Sequence, residues 1–395
     1  MTIKPDVPAN PELASPRRTF LKQCTGVGFA AASLSSFADD AARPTINKSP
    51  SPRMLIIDAL GEFSNPNLSE AEQAGPDRGV DARALADAKD SGLSAVNLTI
   101  GYVAGKEDPF ELSIREIGIW DALIRRKSES LAKVLTIQDI RQAHSTRRLG
   151  VIYGFQNAAM MGSDAQRVAI FANLGVRVIQ LTYNIRNQLG DGAIVAENKG
   201  LTDFGREVVH ELNRNRVLVD LSHSGETTCL DAIAASEKPI IISHTGCQSV
   251  TALPRNKSDK ELRLMADKGG FVGIYFMPFL ALDRQPTASD LIAHIEHAIR
   301  ICGEDHVGIG TDGSVPKIDD MPAYLQYLKK EFEQRRAAGI GAAGERADIV
   351  LFLPDLNGPE KFWKLADMLS RRGHSSARIE KIMGSNFLRV AAEVW

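Results

Sequence analysis

The sequence predicts an α/β protein, a TIM-like (β/α)8 barrel with extra C-terminal helices. From residue 54 onward, short apolar runs alternate with amphipathic or polar segments, and eight of these runs have the length of a strand. The runs are continuous and rich in Val and Ile, which is typical of parallel strands buried on both faces. Eight such units in succession fit a closed barrel better than an open doubly wound sheet.

The predicted elements follow one another in a regular order. The strands are MLIIDAL (54–60), SAVNLTI (94–100), LGVIYGFQN (149–157), VRVIQLTYN (176–184), VLVDLSH (217–223), PIIISHT (239–245), FVGIYFMP (271–278) and HVGIGTDG (306–313). The helices between them are DARALADAKDSG (81–92), DAQRVAIFANLG (164–175), TDFGREVVHELNRNR (202–216), SGETTCLDAIAAS (224–236), DKELRLMADKGG (259–270) and SDLIAHIEHAIRICG (289–303). Thr202 is a predicted helix cap. Residues 319–395 are expected to add helices outside the barrel.

Composition excludes several classes of function. The chain has 395 residues, a formal net charge of -2 and no long basic run, which argues against nucleic acid as a partner. After residue 50 no uncharged apolar stretch approaches the roughly 18 residues of a membrane span, so none is expected in the mature chain. Cys229, Cys247 and Cys302 form no CxxC pair. They are expected to be free thiols, with one disulfide as the alternative.

The N-terminal segment is predicted to lie outside the fold. Arg17 and Arg18 precede Phe20-Leu21-Lys22 and a mildly apolar, small-residue stretch, and this pattern resembles a twin-arginine export signal. The alternative is a tail in which Arg-Arg occurs by chance. We therefore expect residues 1–42 to be an export signal and tail, residues 50–395 to be one barrel domain, and the protein to be periplasmic or otherwise exported. That route carries folded proteins, so a cofactor could be inserted before export.

Chemistry in this architecture sits at the C-terminal ends of the strands. His223 and His244 end two consecutive predicted strands, and Asp312 ends a later one. The spacing brings the two imidazoles side by side, and neutral imidazole suits zinc and similar cations. The pattern thus indicates a metal-centred site. His294 and His297 lie one turn apart on a predicted helix, where a metal role is not expected.

Several stretches together resemble the renal-type membrane dipeptidases of the amidohydrolase superfamily. They are LTYNIRNQLGDG, GLTDFGREVVHELNR, VLVDLSHS, PIIISHT, RNKSDKELRLMADKGGFVGIYF, HVGIGTD and IMGSNFLRV, and the resemblance runs from about Met54 to Val390. It implies a TIM-like barrel that hydrolyses dipeptides with two bridged zinc ions. It also suggests a homodimer.

Four positions agree with the family's motifs. His223 and His244 match the histidines of the second metal, and Arg255 matches an arginine that receives the substrate carboxylate, a role that suits a guanidinium fork. Asp312 matches the aspartate that orients the attacking water and takes up its proton.

Four other positions depart from the family. Leu60 and Glu62 stand where the first strand should end in a His-x-Asp metal pair, Gln156 replaces the bridging glutamate, and Tyr183 replaces a histidine that stabilises the oxyanion. Leucine cannot ligate, and a neutral amide bridges two dications poorly. We therefore expect zinc or another divalent metal, one ion at most, on His223 and His244, with Gln156 or Asp312 as a candidate further ligand; the absence of any metal stays open.

Two functions from different classes follow. The first is an exported metallohydrolase acting on a dipeptide or related small amide, with Asp312 as base and Tyr183 as oxyanion donor. The second is a non-hydrolytic binding or maturation factor for a peptide-like small molecule, such as a siderophore precursor. Acid–base chemistry of another type, independent of a dinuclear centre, is a third reading that no residue selects.

Overall fold

A computed structural model describes residues 54–395; the predicted export signal and tail, 1–42, lie outside the described residues. Within that range a single parallel sheet contains nine strands. They are β1 Ile57–Asp58, β2 Ala95–Thr99, β3 Leu131–Lys133, β4 Leu149–Phe155, β5 Val176–Gln180, β6 Leu218–Asp220, β7 Ile241–Thr245, β8 Phe271–Ile274 and β9 Val307–Ile309. Eight of them follow the order β1-β2-β4-β5-β6-β7-β8-β9, and these are the eight strands predicted from the sequence.

The α-helices cover the outside of the sheet and its two ends. They are α1 Glu70–Ala74, α2 Ala82–Asp90, α3 Pro109–Arg126, α4 Ile137–Ser145, α5 Arg167–Asn173, α6 Asp203–Arg214, α7 Glu226–Ala235, α8 Asp259–Asp267, α9 Ala288–Cys302, α10 Met321–Ala337, α11 Lys361–Arg371, α12 Ser376–Glu380 and α13 Asn386–Val394. The predicted cap is confirmed, since the Thr202 side chain accepts from the Gly205 amide. The extra helices expected after residue 319 are also present.

Four elements before residue 319 have no predicted counterpart: α1, β3, α3 and α4. The short β3 pairs with the first half of β4, on the edge that β5 takes over further along. Helix α3 begins with Pro109 at its first position behind an Asp108 cap, an arrangement that favours helix initiation. Three residues of strand carry too little periodicity to be separated from the loops around them.

Backbone hydrogen bonds draw the first and last strands of the path together. The Ala59 amide donates to the Ile309 carbonyl at 3.1 Å, and the Glu62 amide donates to the Gly313 carbonyl at 3.0 Å. In the return direction the Asp312 amide donates to the Leu60 carbonyl at 2.8 Å. These bonds close the barrel where the first and last predicted strand ends meet.

The two ends of the barrel are built differently. Apolar side chains from the beginnings of the strands, such as Ile57 and Phe271, form one cluster with Phe387 and Val390 of α13. Helix α13 therefore covers the N-terminal end. The C-terminal end retains buried polar groups, and the candidate site lies there.

Asp58 ties the first strand to the last. Its carboxylate accepts from the Thr311 amide at 2.8 Å and from the Thr311 hydroxyl at 2.6 Å. Gly61 makes room for it, because a Cβ at that position would lie 2.1 Å from Asp58 Oδ2. Asp58 thus makes a barrel-closing contact at the barrel mouth.

Cys229, Cys247 and Cys302 are buried free thiols, as expected, and burial raises the pKa of all three. Along residues 54–395, no helix is both long enough and apolar enough to cross a membrane.

The buried Asp58 carboxyl gives the fold a pH-dependent stability. Burial raises its pKa from 3.8 to about 7, against the opposing effect of the Thr311 hydrogen bonds. Because the pKa is higher in the folded state than in the unfolded state, Asp58 contributes fully to the free energy of unfolding below its unfolded-state pKa. That contribution is lost as the pH rises through about 7. We expect the free energy of unfolding of the native protein, relative to Asp58→Asn, to fall with pH in that window by at most about 1.4 kcal/mol per pH unit. Urea titrations of both proteins at a series of pH values measure this difference, in which the effects of the other carboxyl groups cancel. If the free energies of unfolding of the two proteins changed in parallel with pH, the prediction would be contradicted.

Candidate active site

The C-terminal ends of the strands surround one cavity of about 470 Å³. Five residues predicted from the sequence line it: Glu62, Tyr183, His223, Arg255 and Asp312. The other three, Leu60, Gln156 and His244, are buried and do not line it. The structure therefore brings the predicted site residues to one end of the barrel but exposes only part of them to a ligand.

His223 and His244 face each other across the ends of β6 and β7. Their Nε2 atoms are 2.8 Å apart, and the ring centroids are 4.8 Å apart at an angle of 57°. Both side chains are buried. The prediction that consecutive strand ends place the two imidazoles side by side is confirmed.

The hydrogen bond behind His223 decides where its proton lies. Nδ1 is 2.6 Å from Asn184 Oδ1, while the Nδ2 of the same amide donates to the Ile340 carbonyl at 3.0 Å. That second bond orients the amide with its oxygen toward the imidazole. His223 consequently donates from Nδ1, and in the neutral ring Nε2 carries the lone pair.

His244 is oriented by a longer relay. Its Nδ1 is 2.8 Å from Ser243 Oγ, and that hydroxyl donates to Asp220 Oδ2 at 2.6 Å. Because the Ser243 proton is engaged with Asp220, the hydroxyl accepts from His244 Nδ1–H. Asp220 also accepts from the Ser222 hydroxyl and from two backbone amides. Burial raises the Asp220 pKa, and these hydrogen bonds act in the opposite direction.

With both Nδ1 atoms donating, two neutral rings would bring their Nε2 lone pairs to 2.8 Å from each other, so a proton or another positive charge must offset the repulsion. Donation from the distal nitrogen to a fixed acceptor is how proteins orient metal-ligating histidines. Within residues 54–395, however, no three His, Cys, Asp or Glu side chains are grouped closely enough to hold a metal. The imidazole pair therefore has no third side chain of these types beside it among the described residues.

Arg255 places a fixed positive charge beside this pair. Its side chain is only 2% exposed, Nη1 donates to the Ser222 carbonyl, and Nη2 lies 3.2 Å from His223 Nε2. A guanidinium so close to the imidazole nitrogen competes with a metal for the same lone pair and repels its charge. The arginine lies at the cavity wall, where a ligand carboxylate could take up its donors.

Tyr183 and Arg335 also line the cavity. The Tyr183 ring stacks on His223, with centroids 4.3 Å apart and planes 26° apart. Arg335, on α10, is held by a bidentate ion pair with Glu345 at 2.7 and 3.0 Å. Burial acts to lower the Arg335 pKa, but Tyr183 and Glu345 together raise it. Arg335 was not predicted as a site residue, because a charged residue on an amphipathic helix carries no signal of a site.

Lys257 supports the loop behind His223. Its buried ammonium donates to the Ser224 carbonyl at 2.5 Å and to Cys229 Sγ at 3.0 Å, and forms an ion pair with Glu261 at 3.3 Å. This contact fixes the chain immediately after His223, on a segment two residues beyond Arg255. Lys257 was not among the predicted site residues.

Of the remaining predicted site residues, some line the cavity and others are buried in the barrel. The Gln156 amide is buried, and neither its oxygen nor its nitrogen has a hydrogen-bond partner among the described residues. Leu60 contributes its carbonyl to barrel closure, and Glu62 lines the cavity. Asp312 has a φ of 55°, a left-handed conformation that turns the chain sharply after β9. The roles predicted for these side chains stay predictions.

His294 and His297 lie away from the imidazole pair. His294 is buried, accepts from the Cys247 amide at 2.8 Å and has its pKa lowered to about 4 by burial. His297 contacts Asp259 at 2.7 Å. Both serve contacts between α9 and its neighbours.

Removing the acceptor behind His223 should destabilise the site. Asn184→Leu leaves the buried Nδ1–H of His223 without a partner, and we expect a loss of about 1–3 kcal/mol in the free energy of unfolding. Asn184→Asp keeps an acceptor at that position and should lose less. Urea unfolding compares the two, and long-range ¹H–¹⁵N spectra of the imidazoles test for the Nδ1–H form of His223. Equal losses in both variants, or an Nε2–H form, would refute the assignment.

Comparisons with known proteins agree with the fold and identify a family. Residues 82–339 match the membrane dipeptidase family, peptidase family M19. The chain is 26% identical over 287 residues to dipeptidase tcpJ of Claviceps purpurea, a match that covers 71% of this chain and 60% of that protein. The chain thus spans less than two thirds of that relative.

Two crystal structures resemble the barrel. One is an amidohydrolase from Pseudomonas aeruginosa, with a TM-score of 0.72 and 31% identity over 87% of this chain and 97% of the other. The second is a metallopeptidase from Rhodobacter sphaeroides liganded with a phosphinate mimic of L-Ala-D-Ala, with a TM-score of 0.70 over 87% and 99% of the two chains. At 18% identity, that second likeness concerns the fold alone. The family match spans more than half of the sequence, and the chain belongs to the membrane dipeptidase family.

Proposed function

We propose that this protein is a dipeptidase-like hydrolase of a dipeptide or related small amide, with at most one divalent metal at its centre. The observation that carries the proposal is the convergence of the His223 and His244 Nε2 atoms, each oriented by a hydrogen bond at Nδ1. Asp312, Tyr183 and Arg255 border the same cavity. Membership of the dipeptidase family supports an amide as the substrate.

The proposed mechanism assigns one task to each residue. His223 and His244 would hold a metal ion such as zinc, which when bound polarises a carbonyl and lowers the pKa of water. Asp312 takes the proton from the attacking water, and Tyr183 donates to the oxygen that gains negative charge. Arg255 orients the substrate through its carboxylate.

The altered half of the site limits this chemistry. Leu60 offers no ligand atom, and the Gln156 amide is neutral, so little at the end of β1 can hold a second dication. Glu62 keeps a carboxylate at the cavity wall, on a longer side chain than the aspartate it replaces in the family pattern. We infer that any metal is confined to the imidazole pair.

Metal content and turnover test the proposal together. Purified protein, supplied with zinc or manganese, should bind up to one equivalent and cleave members of a panel of dipeptides and N-acyl amino acids. A His223→Ala/His244→Ala double variant should lose both properties. His210→Ala, at a half-exposed position on α6, is the matched control and should keep them. Asp312→Asn should keep the metal but lower the rate by about 10²–10⁴-fold.

Two different results would contradict the metal and the hydrolase separately. Equal metal content in the native protein and the double variant removes metal from the mechanism. A metal-loaded protein that cleaves no member of the panel refutes the hydrolase.

The second candidate is a non-hydrolytic binding or maturation factor for a peptide-like small molecule, such as a siderophore precursor. It is favoured by the Arg255 guanidinium at 3.2 Å from His223 Nε2, which offers positive charge without a metal. Well under one equivalent of metal after supplementation, with an intact fold and retained ligand binding, would favour this candidate over the hydrolase.

We also propose that the protein is exported by the twin-arginine route to the periplasm and that it forms a homodimer. The support is the Arg17-Arg18 pattern for export and the family resemblance for the dimer. Sedimentation of the purified protein tests the dimer.

Changing the paired arginines should block export. Arg17→Lys together with Arg18→Lys should keep the precursor in the cytoplasm, because twin-arginine signals are read through that pair. Arg43→Lys, a charge-conserving change outside the pair, should leave export intact. Fractionation and immunoblotting in a bacterial host measure the distribution; unchanged periplasmic protein in the double variant would exclude this route.

A further inference from the structure

Lys361 places a buried ammonium at the cavity wall, on the side away from the imidazole pair. It is the first residue of α11, only 5% exposed, and it is among the residues that line the cavity. Its Nζ donates to the carbonyl of Ser314, in the loop that follows β9. This loop pairs with the end of β1 through the Glu62–Ser314 bridge.

The hydrogen bonds of this ammonium are incomplete within the protein. An ammonium has three donors, and a buried charge is costly unless it is paired. Among the described residues, the Ser314 carbonyl is its acceptor and no carboxylate forms an ion pair with Nζ. Two donors therefore remain for whatever occupies the cavity.

The position is unfavourable on two further counts. A cation in the first turn of a helix lies at the positive end of the helix dipole. Burial also lowers the Lys361 pKa to about 8, although Asp58 and Glu360 oppose that effect. Asp58 itself is occupied by Thr311 and by the Leu60 amide, so it does not pair directly with the ammonium.

Three arginines that line the cavity have carboxylate partners. The ion pairs are Arg78–Glu116 at 2.9 Å, Arg115–Glu107 at 2.7 Å and Arg335–Glu345 at 2.7 Å. Lys361 differs from these three, because its charge is balanced only by a carbonyl and by distant acids. A ligand anion would satisfy both its charge and its remaining donors.

We propose that Lys361 binds a carboxylate of the ligand, separate from the one assigned to Arg255, so that the preferred amide carries an acidic side chain. This inference rests on the proposed function, since it takes the cavity as the binding site for a small amide. Arg255 follows β7, whereas Lys361 contacts the loop after β9. The two cations thus lie at different strand ends, so that the two carboxylates would have separate partners.

Calorimetry with two dipeptides of nearly equal size tests this directly. Ala-Glu and Ala-Gln differ by a carboxylate and an amide, and each is titrated into the mature chain in the presence of a chelator. Mass spectrometry of the titrated solution reports any cleavage. The variant is Lys361→Met, which keeps the apolar stem. Lys364→Met, one turn along α11 at a partly exposed position, is the matched control.

The native protein should bind Ala-Glu about tenfold or more tightly than Ala-Gln, the size expected of a charged hydrogen bond. Lys361→Met should abolish that preference while keeping the affinity for Ala-Gln, and Lys364→Met should keep the preference. Equal affinities in the native protein, binding of neither dipeptide, or a preference that survives Lys361→Met would overturn the proposal.

Two features keep the outcomes separable. The comparison of Ala-Glu with Ala-Gln in the native protein needs no variant, so it decides the matter even if Lys361→Met does not fold. A preference for Ala-Glu without cleavage of any metal-supplemented dipeptide would refute the hydrolase and leave the Lys361 site standing. Cleavage without that preference would do the reverse.

Discussion

The facing imidazoles of His223 and His244 impose the condition on which the rest of the site depends. Two Nε2 atoms at 2.8 Å cannot both keep bare lone pairs in a buried setting, and their Nδ1 atoms are already committed to Asn184 and Ser243. Positive charge must therefore be present, as a proton, a metal or a neighbouring side chain. Asp220 orients the His244 ring through the Ser243 hydroxyl, and the Arg255 guanidinium lies beside His223 Nε2.

The opposite half of the barrel mouth meets a different condition. At the end of β1, Asp58 points inward to Thr311 and closes the barrel, while Leu60 contributes only its backbone to that contact. The Asp58 carboxylate could in chemical terms bind a cation, but here it accepts hydrogen bonds that hold the barrel closed. The positive charge of this half comes instead from Lys361, a fixed group that cannot polarise water as a metal does but can hold an anion.

The strand ends were predictable from sequence because their chemistry and their structure coincide. A buried parallel strand needs a continuous apolar run, and the run stops where polar residues face the barrel mouth, which is how His223, His244 and Asp312 could be found. Arg335 and Lys361 could not, since each lies on a helix whose pattern is explained by packing alone. Their approach to the cavity depends on tertiary contacts, with Tyr183 and Glu345 in one case and with Ser314 in the other. The three-residue β3 was missed for want of any periodicity.

Arg255 links the two proposed activities in physical terms. While its Nη2 donates to His223 Nε2, that nitrogen is less available to a metal. A ligand carboxylate that accepts from the guanidinium neutralises the charge and draws the donor away from the imidazole. Ligand binding and metal binding at this site would then reinforce each other, and such coupling is reciprocal by thermodynamic necessity. On the proposed function, the protein would bind a metal weakly without substrate and more tightly with substrate in place, and the hydrolase and the binding factor would differ in the strength of that coupling.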